Sequence, residues 1–288
     1  MIRIGIVGSD NSHAEAFSKL TNVPDNDLKV EGAQVVSIFG LEEERTQEIA
    51  DIGNIPTIVQ SPDEMLGEVD AVIVVFRHGG LHKEYALPFV EKGIPTFVDK
   101  PMAVSVEDAQ TIVDAAVKND TLLTSYSTLR FDTATSDFVQ GLEGIAPVTA
   151  GVVTGPADRA SEYGGLPFYG VHVVELMLEA FGRGVVEVDA VDHHGNIVAR
   201  ARYKDDRIAT LQFLGNASYA FHMSGYGKNG ALHSDVGGRA NYQHGLQKFL
   251  DMIDTGEWTL SADEMLESVR VLDAVDRAID SGGTIKLA

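Results

Sequence analysis

A chain of 288 residues with 44% apolar composition is long enough for two domains with substantial cores. Its 43 acidic residues against 22 basic ones leave a net charge of -21, which excludes the electrostatic footprint of a nucleic-acid binder. Cysteine is absent, so disulfides, thiolate nucleophiles and cysteine metal sites are excluded together. No apolar run approaches the roughly 20 residues of a membrane span and no leader pattern is visible at the N-terminus, so the expectation is a cytoplasmic protein with no membrane partner.

In chain order, residues 2–7 read as a β-branched strand, 8–11 as turn chemistry, and Ser12-x-x-Glu15 as a capping box that opens a helix. The alternation continues with a strand at 33–39, a charged helix at 42–50, a buried strand at 70–76 and a helix at 81–91. A strand at 96–98, a helix to 117 and a strand at 121–125 complete the series. Alternating strands and helices predict a doubly wound parallel sheet of the Rossmann type over residues 1–122.

Beyond that point the grammar changes. A helix at 132–142, a strand at 148–155 and an apolar helix at 167–181 precede alternating strands at 185–191, 196–203, 208–214 and 218–226, with a hairpin at 227–230 and one further strand. Helices at 242–254 and 262–280 close the chain, the first with Leu246, Phe249, Leu250 and Ile253 on one face. Residues 123–288 therefore read as an α+β domain with a mostly antiparallel open sheet, used for substrate binding and oligomerisation. The bare sheet face predicts a homodimer or homotetramer.

Ligands of a doubly wound sheet bind beyond the carboxyl ends of its strands, which directs attention to the segments after Val7, Phe39, Phe76 and Val98. Asp99-Lys100-Pro101 places a lysine directly after a strand, where it suits proton transfer or a substrate hydroxyl. In the segment from Gly164 to Glu175, His172 and Glu175 are three apart and share a helix face, so the carboxylate is placed to orient the imidazole. As metal ligands the same pair lacks a third partner, and no metal is expected.

Asp99-Lys100-Pro101, Gly170-x-His172 and the closing stretch from residue 242 together resemble the Gfo/Idh/MocA family of nicotinamide-dependent oxidoreductases. That family has Glu-Lys-Pro at the first motif and Asp-x-Gly-x-His at the second; here Asp99 replaces the glutamate and Phe168 the aspartate. The resemblance implies hydride transfer between a nicotinamide and a hydroxyl or carbonyl of a sugar, polyol or sugar-acid-like small molecule. It makes Lys100 and His172 the proton-transfer pair, with Glu175 as support. Arg159, Tyr163 and Tyr169, near the Gly164-Gly165 turn, join Lys100 and His172 as candidate substrate contacts.

The cofactor loop is atypical. Where Gly-x-Gly-x-x-Gly brings main-chain N–H groups to a pyrophosphate, this chain has Gly8, Ser9, Asp10, Asn11, Ser12 and His13. An ionised Asp10 about 4 Å from a phosphate charge would repel it by about 4 kcal/mol at an effective dielectric of 20. Arg77, after the strand that lies beside the first, is the candidate to neutralise it. Phe76, Arg77, His82, Asp99 and Lys100 complete the expected cofactor contacts. Gly40 stands where an acidic residue usually holds the adenosine ribose, and Glu42, Glu43 and Glu44 oppose an extra phosphate, so NAD is favoured over NADP. Two alternatives remain: an enzyme with no net redox change, a lyase or epimerase that retains its NAD, and a ligand-binding or regulatory protein that has lost the nucleotide.

Overall fold

The computed structural model describes residues 1–287, which fall into two compact units. The first comprises Met1–Ala103, Glu107–Tyr126 and Tyr242–Ala262. It contains β1 (Ile2–Val7), α1 (Ser12–Asn22), β2 (Ala33–Phe39), α2 (Glu43–Ile52), β3 (Thr57–Ile58), β4 (Ala71–Val74), α3 (His82–Val90), β5 (Thr96–Val98), α4 (Val106–Lys118) and β6 (Leu123–Thr124). All six strands are parallel, in the order β3-β2-β1-β4-β5-β6. That order reverses direction between β1 and β4, which is where dinucleotide folds open their crevice. Ile4, Ile6, Val35, Ile38, Ile73 and Phe97 are fully buried, as expected of a sheet covered on both faces.

Two details depart from the sequence reading. Asn11, not Ser12, caps α1: its side chain accepts from the His13 N–H at 3.1 Å, and Glu15 pairs with Lys19 instead of closing a capping box. The cut at 122/123 also does not capture the division, because α7 (Asn241–Thr255) lies almost wholly within the first unit. Phe249 packs against Phe97 with ring centroids 5.7 Å apart, and the Tyr126 hydroxyl donates to the Gly245 carbonyl at 2.7 Å. A single amphipathic face shows that a helix is buried on one side but not which sheet covers it.

The second unit comprises Val104–Val106, Ser127–Asn241 and the residues from Asp263 onward. It holds α5 (Thr133–Gly141), β7 (Val148–Pro156), α6 (Pro167–Phe181), β8 (Val185–His193), β9 (Asn196–Tyr203), β10 (Ile208–Leu214), β11 (Phe221–Gly227), β12 (Gly230–Val236), α8 (Ala262–Ser281) and β13 (Ile285–Lys286). The sheet runs β12-β11-β7-β10-β9-β8-β13, antiparallel except for the parallel β7–β10 pair. Alternation along β9 decides its two faces: Ile197, Ala199 and Ala201 are buried, while Val198 and Arg200 are exposed and Arg202 is half-buried. Helix α6 is apolar nearly all round, with Val171, Val173, Val174, Leu176 and Met177 all buried in the core. The fold is thus α/β, with one parallel and one mostly antiparallel sheet.

Candidate active site

In the first unit the strand ends meet closely. Gly8 adopts φ +115°, and a Cβ there would lie 2.7 Å from the Phe76 nitrogen, so only glycine lets the end of β1 pass the segment after β4. Asp10 is turned toward that same segment: the Arg77 main-chain N–H donates to both carboxylate oxygens, at 3.1 and 3.3 Å. The expected meeting of Asp10 and Arg77 thus takes place at the main chain. A backbone N–H partner offsets part of the carboxylate's field at the loop without supplying a full positive charge.

Asp99 is completely buried and gathers the loop around it. His13 Nδ1 donates to its Oδ2 at 2.8 Å, Asn11 Nδ2 donates to the same oxygen at 3.3 Å, and Oδ1 has no partner among the described residues. Burial drives its pKa up, but the charge and hydrogen bond of His13 and the Lys100 ammonium prevail and hold it below the ordinary aspartate value. Lys100 is 4% exposed. Burial pushes its ammonium down, Asp99 pulls it back, and Arg77 adds to the depression, so the net shift is downward. That shift suits an amine that exchanges protons.

His82 stands behind this loop. It is fully buried, with Nδ1 2.8 Å from the Pro101 carbonyl oxygen and Nε2 2.8 Å from that of Phe76. Burial lowers its pKa, against the opposing effects of Asp99 and the carbonyl contacts. The sequence reading put His82 against the cofactor; the structure shows its ring held between two main-chain carbonyl groups. It ties the residue before Arg77 to the residue after Lys100, and so positions both.

The missing acidic residue at the end of β2 has a steric cause. A Cβ on Gly40 would lie 2.0 Å from Ser9 Oγ and 2.2 Å from Thr46 Oγ1, two hydroxyls that bond each other at 2.8 Å. Ser9 occupies space that an acid at position 40 would need. Thr46 escaped the sequence analysis because nothing in its spacing ties a helix threonine to the first loop. Beside this pair lies a cavity of about 310 Å³ lined by Phe39, Gly40, Leu41, Thr46, Ile58 and Gln60. It lies at the carboxyl ends of β2 and β3, against the first turns of α2.

In the second unit His172 lies on α6 and is 6% exposed. Its Nδ1 is 2.6 Å from Ser127 Oγ, while the Ser127 main-chain N–H donates to Glu175 Oε2 at 2.8 Å. Glu175 therefore supports the imidazole through Ser127, a residue that sequence reasoning missed because it lies 45 positions away and carries no motif. Behind it Arg130, 4% exposed, stands 3.7 Å from Glu175 Oε2 and 2.9 Å from Glu179. A hydroxyl at Nδ1 fixes the ring plane.

Arg159, a candidate substrate contact, has its guanidinium on Asp276 at 2.7 Å and Asp280 at 2.6 Å, both on α8. Tyr163 and Tyr169 instead pack their rings on Phe168, at 4.9 and 4.7 Å, so the position of the usual carboxylate is an aromatic junction.

Residues 2–127 match the model of an oxidoreductase family with an NAD-binding Rossmann fold, GFO_IDH_MocA. This part of the chain belongs to the Gfo/Idh/MocA family. Among its relatives, inositol 2-dehydrogenase 3 of Saccharopolyspora erythraea is 30% identical over 115 residues, 40% of this chain and 32% of that protein. Inositol 2-dehydrogenase of Acidothermus cellulolyticus is 22% identical over 80% of this chain and 72% of its own length. Several curated relatives are matched over only about a third of their length. The scyllo-inositol dehydrogenase of Lactobacillus casei, solved with NAD(H) and scyllo-inositol, shares the fold with a TM-score of 0.86 over 99% of both chains at 16% identity. Asp99-Lys100-Pro101 stands at the end of β5 and Gly170-x-His172 on α6.

Proposed function

We propose that the protein is a nicotinamide-dependent oxidoreductase that interconverts a secondary alcohol and its ketone on a sugar, polyol or sugar-acid-like molecule, with NAD(H) preferred over NADP(H). The observation that carries this reading is the buried Asp99–Lys100 pair at the end of β5, beside the strand-order reversal of a Gfo/Idh/MocA Rossmann sheet. A bound nicotinamide supplies the hydride acceptor. Gly8, Ser9, Asn11, Ser12 and His13 would hold the nucleotide, with the cavity beside Gly40 for its adenosine. Glu43 on the rim of that cavity, with Glu42 and Glu44 beside it in sequence, would repel a second ribose phosphate, which supports NAD.

Oxidation of the alcohol removes a hydride from carbon and a proton from oxygen. In this reading Lys100 accepts the hydroxyl proton, as its depressed pKa permits, and His172 Nε2 holds and polarises the oxygen while Ser127 fixes the ring. Reduction runs the same transfers in reverse. A homodimer or homotetramer is part of the proposal, supported by Val191 and Val198, which are paired across β8 and β9 and exposed on the open sheet face. The direct test is a thermal-shift titration with NAD+ and NADP+. Ligand at about 100 times its Kd stabilises by about 2.7 kcal/mol, so a clear NAD+ shift and a smaller NADP+ shift are expected. No shift with either nucleotide would overturn the reading.

A further inference from the structure

Around His172 the second unit builds a closed circuit of rings. Tyr169 meets His172 with centroids 5.7 Å apart, His172 meets Phe221 at 5.3 Å, Phe221 meets Tyr219 at 5.4 Å, and Tyr219 returns to Tyr169 at 5.8 Å. Phe168 and Tyr163 extend the same wall from Tyr169. Three of the four contacts in the circuit are edge-to-face, the geometry favoured by the ring quadrupole, so the wall is built and not a chance cluster. Phe221 is 2% exposed and His172 6%, yet Tyr219 at the rim is 68% exposed. Tyr219 thus leaves the rim of a continuous aromatic wall open, where a ligand can reach it.

The charges that a polyol site would use are directed elsewhere. Arg159 is tied to Asp276 and Asp280, Glu175 takes the Ser127 N–H, and position 168, which carries a carboxylate in the family motif, is phenylalanine. A hydroxyl pressed against Phe168 gives up its water and gains no partner from that side chain. A C–H face against the same ring keeps its dispersion contact and gives up nothing.

We propose that Phe168, Tyr169 and Tyr219 set the substrate class: a neutral, partly deoxygenated ring alcohol or its ketone, bound with a C–H face on the aromatic wall, in preference to a fully hydroxylated inositol. This rests on the oxidoreductase reading above and sharpens it. A surface with no hydrogen-bonding group, such as the Phe168 ring, discriminates against a hydroxyl placed on it by about ten- to a hundredfold.

The test compares myo-inositol, a deoxyinositol and cyclohexane-1,2-diol in two assays with the intact protein: NAD+ reduction, and ligand-observed saturation-transfer NMR with and without NAD+. For the wild type, kcat/KM for the deoxygenated rings should exceed that for myo-inositol by about tenfold or more, with most of the difference in KM. The deoxygenated rings should also show the stronger saturation transfer. Phe168→Asp should reverse the order, and Tyr219→Ala should weaken binding of the deoxygenated rings. Equal or better binding of myo-inositol by the wild type, or failure of the deoxygenated rings to bind, overturns the proposal. Absence of NAD+ reduction together with absence of nucleotide binding overturns the oxidoreductase reading instead, and the NMR order without NAD+ still decides the wall.

Discussion

Replacing Glu175 separates two jobs that one carboxylate performs. Glu175→Leu removes the acceptor of the Ser127 N–H and the more deeply buried of the two carboxylates beside Arg130, whose guanidinium, 4% exposed, would keep only Glu179. Arg130 Nε already lacks a partner among the described residues, and Glu179, 31% exposed, is screened by solvent and balances the buried charge less well than Glu175. Removing one member of a buried pair costs about 3–5 kcal/mol because the other charge is left uncompensated. At about 3 °C per kcal/mol for a domain of this size, Tm of the second unit should fall by about 10–15 °C. Glu175→Gln keeps an oxygen for the Ser127 N–H and removes only the charge, so a smaller loss is expected, within the about 1–3 kcal/mol of a perturbed buried hydrogen bond. Differential scanning calorimetry of both variants, with kcat measured well below the transition, reads stability and ring positioning separately. The reasoning is refuted if Glu175→Leu melts within about 2 °C of the wild type.

Lys100→Met should abolish turnover while nucleotide binding persists; full activity would make the Asp99-Lys100-Pro101 turn structural. The folded pKa of Lys100 lies below its unfolded one, so its contribution to stability is fully present above the ordinary lysine pKa and is lost as pH falls through the folded value. Wild type should therefore gain stability relative to Lys100→Met as pH rises from neutral toward about 10, measured by denaturant midpoints. For Asp99 the folded pKa is likewise depressed, so its stabilisation is in place at neutral pH and disappears only as pH falls below about 4; Asp99→Asn should flatten the acid limb of the stability curve. Gly40→Asp alone should weaken NAD+ binding by colliding with Ser9 and Thr46, whereas Gly40→Asp combined with Ser9→Gly and Thr46→Ala should restore or improve it in calorimetry. Asp10→Gly should tighten NAD+ binding, and an unchanged affinity would show that Asp10 does not face the phosphates.

The parallel sheet was legible because each of its longer strands is a β-branched run closed by turn residues, and β2, β5 and α6 have the predicted limits. The two-residue strands are poorly legible, since Thr57–Ile58 buries too little to leave a pattern. Lys100 and His172 could be singled out because a lysine after a strand and a histidine in an apolar helix depart from their surroundings. Their supports could not. Ser127 reaches His172, and His82 reaches two carbonyl groups, through chain crossings that no local periodicity records. Gly40 read as a missing function, whereas its cause is a hydroxyl pair that fills the space. The pairing of Arg159 with Asp276 and Asp280 is likewise invisible without the fold.

The central claim is hydride transfer from a ring alcohol to a nicotinamide. It is tested most directly by mixing the protein, NAD+ and a carbon-deuterated cyclohexane-1,2-diol or deoxyinositol, and analysing the nucleotide by mass spectrometry. The account predicts NADH carrying one deuterium, formed by the wild type and not by Lys100→Met. Unlabelled, unreduced NAD+ across the whole set of ring alcohols, inositols included, would contradict it.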